Sequence, residues 1–328
     1  MTNTLRIHFI ALTDIRASEH IYMAKLREAL LNYDIVEVDD WRDADVIHLF
    51  EVNFYSRAAF AEFEYLRLYR ILKSDIPVVV STDDLFFIDE RELTAHPWLY
   101  PVNHHTQCWL FDECDVVMAV SESVRQNLTP EINTDKIHVV HHGVSDIYRV
   151  DHPSTTDDPF VLHVSLASSR KNPDAILNTA RQLDIPFKIA GSGWDKLMSK
   201  EPETENVEIL GYVSEDELIE LYKRAPIFYF PTLHEGFGLP ILEAMAAGCA
   251  VVTSDVYAIP EVTGDAAMVL NPTAVNKHVE VIKHLLESTD ERQNLAAEAI
   301  ERSQQFSWKK TARETTEVYR SVLDEEKS

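Results

Sequence analysis

The chain has 328 residues, 45% of them hydrophobic, enough to bury two cores of ordinary domain size. Its net charge of −25 argues against nucleic-acid backbone binding, and no basic run supplies the clustered Lys/Arg footprint expected for it. No apolar run is long enough to span a bilayer, no secretory leader pattern opens the chain, and Cys108, Cys114 and Cys249 have neither metal-like nor disulfide-framework spacing. These features lead us to expect a cytoplasmic protein without a transmembrane segment.

In chain order, apolar runs predict strands at Leu5–Ala11, Val46–Phe50 and Pro77–Ser81, with helices at Tyr22–Leu31 and Ala58–Leu72 between them. Cys114–Val120 and Ile137–His141 add two strands, and Ser121–Leu128 the helix that follows the first. This alternation predicts a doubly wound α/β domain over residues 1–150. His48, inside the apolar stretch VIHLF, reads as a strand histidine satisfied by its neighbours rather than as a base. VDHPSTTDD, Val150–Asp158, is rich in turn formers and is expected to link this domain to a second one over 151–308.

The second domain starts with a strand at Phe160–Ser165, and its loop SLASSRKNPD carries Arg170 and Lys171 ahead of a helix at Asp174–Leu183. Two cations in a serine-containing loop suit a diphosphate. A strand at Phe187–Ala190 runs into Gly191, Ser192 and Gly193, a weak phosphate signal taken alone. Val207–Leu210, with Gly211 and Tyr212 after it, and a capped helix at Ser214–Tyr222 repeat the unit. Ile227–Thr232 is the next buried strand, ended by Pro231. HEGFGLPILEAMAAG, His234–Gly248, then sets Glu235 before a glycine-containing turn and Glu243 inside a helix that Gly248 stops. The turn falls at a strand's carboxyl end, where helix-start amides around Gly236 and Gly238 can face an anion while Pro240 forfeits no needed bond. Two carboxylates beside such a field suit a polyhydroxylated, phosphorylated ligand. The plain alternative is a capped αβ unit with two solvated glutamates. A strand at Ala250–Thr253, helices at Ala274–Leu286 and Arg292–Gln304, and an aromatic-led helix at Phe306–Leu323 complete the chain.

Glu235, Gly236, Phe237, Gly238, Leu239, Pro240 and Glu243, continued by Ala247, Gly248, Ile259, Pro260 and Glu261, resemble the signature of the retaining GT-B glycosyltransferases of the large family 4, glycosyl transferases group 1. CDVVMAVSESV at Cys114–Val124, HHGVSDIY at His141–Tyr148 and the Phe-Ser-Trp at Phe306–Trp308 are similar to further landmarks of that family. The resemblance implies two Rossmann-like domains facing a central cleft, with the last helix, about 309–328, crossing back to the first domain. It implies Glu235 at the hydroxyls of a donor sugar, Glu243 at the nucleotide ribose, and amides of Gly236, Phe237, Gly238 and Leu239 at sugar or phosphates. Lys171, with Arg170 beside it, is implied for the leaving diphosphate. Gly191, Gly193 and Tyr212 complete the donor-binding set, the base lying near Leu210–Val213. Glu235, Lys171 and Arg170 are the catalytic candidates.

The same resemblance implies transfer of a sugar, most simply a hexose, from a nucleotide-sugar to a hydroxyl acceptor with retention, the donor's own phosphate taking the acceptor proton. No metal or other cofactor is expected. The chain also departs from the family. Leu12–His20 has no glycine where relatives carry a glycine-rich loop, leaving Arg16, Ser18 or His20 as side-chain donors. VSTDDLFF at Val80–Phe87 lacks the family's histidine, so Asp83 or Asp84 is expected to orient the acceptor, and His104 or His105 to supply an imidazole. Leu166 occupies the place of a family arginine. A soluble sugar, small molecule or protein is the expected acceptor, with peripheral membrane contact through Leu85–Phe87 or Trp98–Tyr100 left open. The competing reading is a non-catalytic nucleotide-sugar-binding or partner subunit of the same fold.

Overall fold

The computed structural model describes residues 4–11, 17–50, 62–82, 100–130, 132–198 and 205–325. The chain divides into two compact units, Met1–Gly143 with Ser307–Ser328, and Val144–Phe306. Each contains a six-stranded, wholly parallel sheet.

In unit 1 the strands are β1 (Leu5–Ala11), β2 (Ile35–Glu37), β3 (Val46–Phe50), β4 (Val78–Thr82), β5 (Val116–Ala119) and β6 (Ile137–Val139), in the order β2-β1-β3-β4-β5-β6. Helices α1 (Ala17–Leu30), α2 (Glu62–Leu72), α3 (Tyr100–Glu113) and α4 (Glu122–Leu128) connect them. Every residue of β3, β4 and β5 is buried, as expected where helices cover both faces of a parallel sheet. The sequence reading overlooks β2 and α3. The strand has three residues and one buried position, and the helix opens on Tyr-Pro-Val-Asn-His-His, which carries no apolar period. Ser121 lies just outside α4 and caps it, its hydroxyl accepting from Val124 N at 3.1 Å.

Unit 2 has β7 (Val161–Val164), β8 (Phe187–Ala190), β9 (Val207–Gly211), β10 (Ile227–Phe230), β11 (Ala250–Ser254) and β12 (Met268–Leu270), ordered β12-β11-β10-β7-β8-β9. Its helices are α5 (Pro173–Ala180), α6 (Trp194–Met198), α7 (Glu215–Arg224), α8 (Leu239–Ala246), α9 (Ile259–Thr263), α10 (Val275–Glu287) and α11 (Thr289–Ser303). Val161, Ile189, Tyr229 and Val252 from the sheet meet Ile176 and Ile282 from the helices in one core. At the start of α7, Ser214 and Glu217 form a reciprocal capping box.

The expected linker at Val150–Asp158 belongs to unit 2. Val150 N donates to Ala246 O at 3.1 Å and Ser154 N to Gly248 O at 3.0 Å. The division falls instead between Gly143 and Val144, because backbone pairing rather than turn composition decides where a segment docks.

The final helix, α12 (Trp308–Glu325), returns to unit 1 and packs on α1. Tyr33 Oη donates to Lys309 O at 3.0 Å and Thr311 Oγ1 to His141 O at 2.7 Å. Tyr319 is fully buried against His48. Trp308 packs as well, beside Tyr22 and His142, at 5.8 Å from each ring.

Candidate functional site

In an open parallel sheet, ligands bind beyond the carboxyl ends of the two strands where the winding reverses. In unit 2 those strands are β7 and β10, paired through Val161↔Ile227 and Leu162↔Phe228. The loop after β7 carries Arg170 and Lys171, and the loop after β10 carries Glu235. Sixty-odd residues apart in sequence, they meet there because the topology places their strands side by side.

Lys171 is delivered by a single 3-10 turn, Ser169–Lys171, that ends at Asn172 in the left-handed region (φ 58°). Asn172 anchors the turn through Nδ2 to Pro272 O at 2.8 Å, and Pro173 then opens α5. The Lys171 side chain is only 8% exposed, its Nζ lying 4.7 Å from the centre of the Phe230 ring. Nζ donates to Glu235 Oε1. Arg170 Nη1 approaches the same oxygen at 3.4 Å, and Thr232 Oγ1 lies 3.2 Å from it. Glu235 is therefore buried and paired, which removes the reading of a solvated glutamate.

The two loops are also joined by their backbones. Leu233 N donates to Arg170 O at 2.7 Å, and Thr232 Oγ1 to the same oxygen at 3.0 Å. Thr232 thus touches the carboxylate and the cation loop together. Nothing in the sequence distinguishes it from an ordinary residue after a strand.

Behind the cations stands His163, fully buried in β7. Its Nδ1 meets Tyr229 O at 2.9 Å and its Nε2 meets Ser165 Oγ at 2.7 Å. Burial depresses its pKa to about 3, so the ring is neutral. It stacks on Phe230, the ring that faces Lys171 on its other contact. Trp194 Nε1 closes the arrangement with a 2.8 Å bond to Ser165 O. Sequence reasoning missed His163, since a lone histidine in an apolar strand carries no signal of what its ring holds.

Gly191 and Gly193, expected at the phosphates, line the neighbouring loop after β8. Gly191 has φ 126° and its N donates to Gly211 O at 2.7 Å. A Cβ there would overlap Ser165 O, so glycine is required for the two loops to approach. Gly193 lies against Ala167. Tyr212 is 84% exposed just beyond β9, and Leu166 is 50% exposed in the β7 loop.

The helix start differs from expectation. Gly238 caps α8 at φ 92°, but Ile241 N and Leu242 N both turn back to Gly238 O, and Pro240 has no N–H. None of these three positions therefore offers an amide to an anion at that turn. Phe237 is buried, its ring 5.8 Å from that of Phe306.

Glu243 lies one turn into α8 and apart from the Glu235 cluster in its bonding. Tyr222 Oη donates to Glu243 Oε2 at 3.0 Å. Protein encloses the carboxyl although part of the residue reaches solvent. Burial raises its pKa to about 7 against the pull of the phenol, with Glu215 adding a smaller push upward.

Arg16, Asp83 and Asp84 lie outside the described residues, as does the side chain of His104, whose backbone belongs to α3. His105 on the same helix is exposed. His48 has a packing role: fully buried, it bonds Tyr319 Oη through Nδ1 and Ser81 Oγ through Nε2, both at 2.6 Å. Among the described residues, no helix is long and apolar enough to cross a membrane.

Two family profiles divide the chain. The one described as Glycosyltransferase Family 4 matches residues 12–146, and the one described as Glycosyl transferases group 1 matches residues 144–302. Serotype-specific mannosyltransferase WbdA of Escherichia coli is 27% identical over 244 residues, 66% of this chain and 30% of WbdA. O-antigen chain mannosyltransferase B of the same organism is 32% identical over 176 residues, 49% of this chain and 45% of that protein. The chain thus matches less than half the length of either relative. Among solved structures, Anabaena Alr3699/HepE in complex with UDP-glucose superposes with a TM-score of 0.76 at 14% identity, over 97% of this chain and all of that one. That likeness supports the fold.

Proposed function

This chain belongs to the glycosyl transferases group 1 and has the GT-B class of fold, and from that premise we propose that it transfers a sugar from a nucleotide-sugar donor to a hydroxyl acceptor with retention of anomeric configuration. The observation that carries this reading is the meeting of Lys171, Arg170 and Glu235 at the β7/β10 switch point. A diphosphate leaving group develops charge as the anomeric C–O bond breaks. Two cations and the amides at the start of α8 stabilise that charge in a partly desolvated site. Glu235, held between the same cations and Thr232, accepts hydrogen bonds from sugar hydroxyls. Its position beside the phosphate ligands sets donor sugar and leaving group next to each other.

In this scheme the acceptor oxygen bonds the anomeric carbon on the face that the diphosphate vacates, and its proton passes to the departing phosphate oxygen. No protein nucleophile is needed, and charge neutralisation rests on Lys171 and Arg170 rather than on a metal. Names among the relatives include mannosyltransferases, and HepE was solved with UDP-glucose; a hexosyl donor is the working assignment.

The test is a screen of the purified chain against UDP-, GDP- and ADP-hexoses with EDTA present, read by calorimetry, followed by turnover with hydroxyl acceptors. Selective binding of one donor and a product with the donor's anomeric configuration are expected. Inversion at that carbon, or transfer abolished by EDTA and restored by a divalent cation, overturns the corresponding part of the scheme.

A further inference from the structure

Glu243 is bonded by one side chain among the described residues, and that side chain is itself immobile. Tyr222 sits in the last turn of α7 with no solvent exposure. Its ring lies 5.5 Å from Phe228 and 5.7 Å from Tyr148, edge-on to the latter, while its backbone oxygen accepts from Cys249 Sγ at 3.1 Å. A ring enclosed on these sides has one orientation, so its hydroxyl is a donor fixed in space. A glutamate side chain has three rotatable torsions, and on a half-buried helix position it gives up conformational freedom to hold one of them.

We propose that Tyr222 is a positioning residue for donor recognition: its hydroxyl occupies Glu243 Oε2 at 3.0 Å and so presents Oε1 to the ribose hydroxyls of the nucleotide. This rests on the reading of Glu243 as the ribose contact. The bond is charge-assisted when the carboxylate is ionised, and it leaves Oε1 as the oxygen that meets the ligand. Tyr148 backs the Tyr222 ring and feels the Glu243 charge, but among the described residues it makes no bond to that carboxylate, so the load falls on one hydroxyl.

The experiment compares the parent with Y222F, E243A and the double variant. Binding of UDP, GDP and ADP is measured by calorimetry, and the one that binds tightest is repeated as its 2′-deoxy counterpart. The parent is expected to prefer the ribonucleotide. Y222F keeps every ring contact and is expected to unfold at nearly the parent temperature. It should narrow that preference about fivefold, the size of one ordinary hydrogen bond, and raise the donor KM with little change in kcat. E243A should narrow it at least as far, and adding Y222F to E243A should change nothing more. A Y222F protein with the parent's preference, alongside an E243A protein that has lost it, overturns the role of Tyr222 alone. Retention of the preference in E243A overturns the ribose reading and the proposal with it, as does failure of the parent to bind any of the three nucleotides.

Discussion

The two units share an architecture and use the same residue type differently. Each has a histidine buried in a strand at its winding reversal, His48 in β3 of unit 1 and His163 in β7 of unit 2. Burial pushes both to a pKa of about 3, and both rings bond at both nitrogens. What separates them is the far end of the bonds. His48 ties the sheet to the last helix through Tyr319, whereas His163 ties β7 to β10 through Tyr229 O and to Ser165 at the start of the loop that carries the cations. A buried histidine in a strand therefore says little about function until its partners are known.

The sharpest break of this comparison is at the buried ion pair of unit 2. Lys171→Met removes the shorter of two ion pairs to the buried Glu235 and keeps Arg170 at 3.4 Å. A loss of about 3 kcal/mol in denaturant unfolding is expected, together with loss of transfer. Adding Glu235→Gln should return most of the stability and none of the activity. Stability unchanged in Lys171→Met would mean that the pair is not desolvated.

Next in size are two glycines, one in each unit, where the backbone of another segment leaves no room for a Cβ. Gly143 lies against Ser307 and Trp308 at the entry to α12, and Gly191 against Ser165. Each substitution by alanine is expected to cost about 2 kcal/mol through overpacking. Gly191→Ala should in addition weaken nucleotide binding, because the β7 loop must shift, while Gly143→Ala should leave it alone. Equal effects of the two on nucleotide affinity would erase the distinction between the units.

The histidines themselves come third. His48→Ala takes a partner from the Tyr319 and Ser81 hydroxyls and should lower stability by about 2 kcal/mol with nucleotide affinity unchanged. His163→Ala should lower both. The readouts are thermal unfolding and calorimetric titration with the nucleoside diphosphate that the parent binds.

The smallest effect is in pH. Glu243 titrates near 7 in the folded chain against an ordinary value of 4.5. The folded state thus holds a proton that the unfolded chain has released, so this group's contribution is full below pH 4.5 and is lost as pH rises through 7. The two histidines run the other way: their contribution is full above pH 6.5 and is lost as pH falls towards 3. For binding, ribose hydroxyls favour the ionised carboxylate, so nucleotide affinity should fall between pH 7 and pH 6. Glu243→Gln should lack that component. A Glu243→Gln protein with the parent's full pH profile would assign the dependence to the phosphates alone.

Much of the site was legible in the sequence because its chemistry is local. HEGFGLPILEAMAAG encodes a strand end, a turn and a helix within fifteen residues, and Arg170 and Lys171 sit side by side in one loop. Turn geometry and capping act over a few residues, so spacing is enough to expect them. The apolar runs likewise announced both sheets. They did not announce β2, β12 or α3, the two strands being too short and the helix without an apolar period.

The tertiary structure alone decided who meets whom. Strand order brings Lys171 to Glu235, and no local pattern encodes a neighbour sixty residues away. The cost of burying a charge without a partner makes that meeting necessary once both side chains are enclosed. The same holds for Tyr222 at Glu243 and for His163 behind the cation loop. Their residue types are visible in the chain, but their partners are set by packing, since a buried hydroxyl or imidazole bonds whatever polar atom the fold leaves within reach.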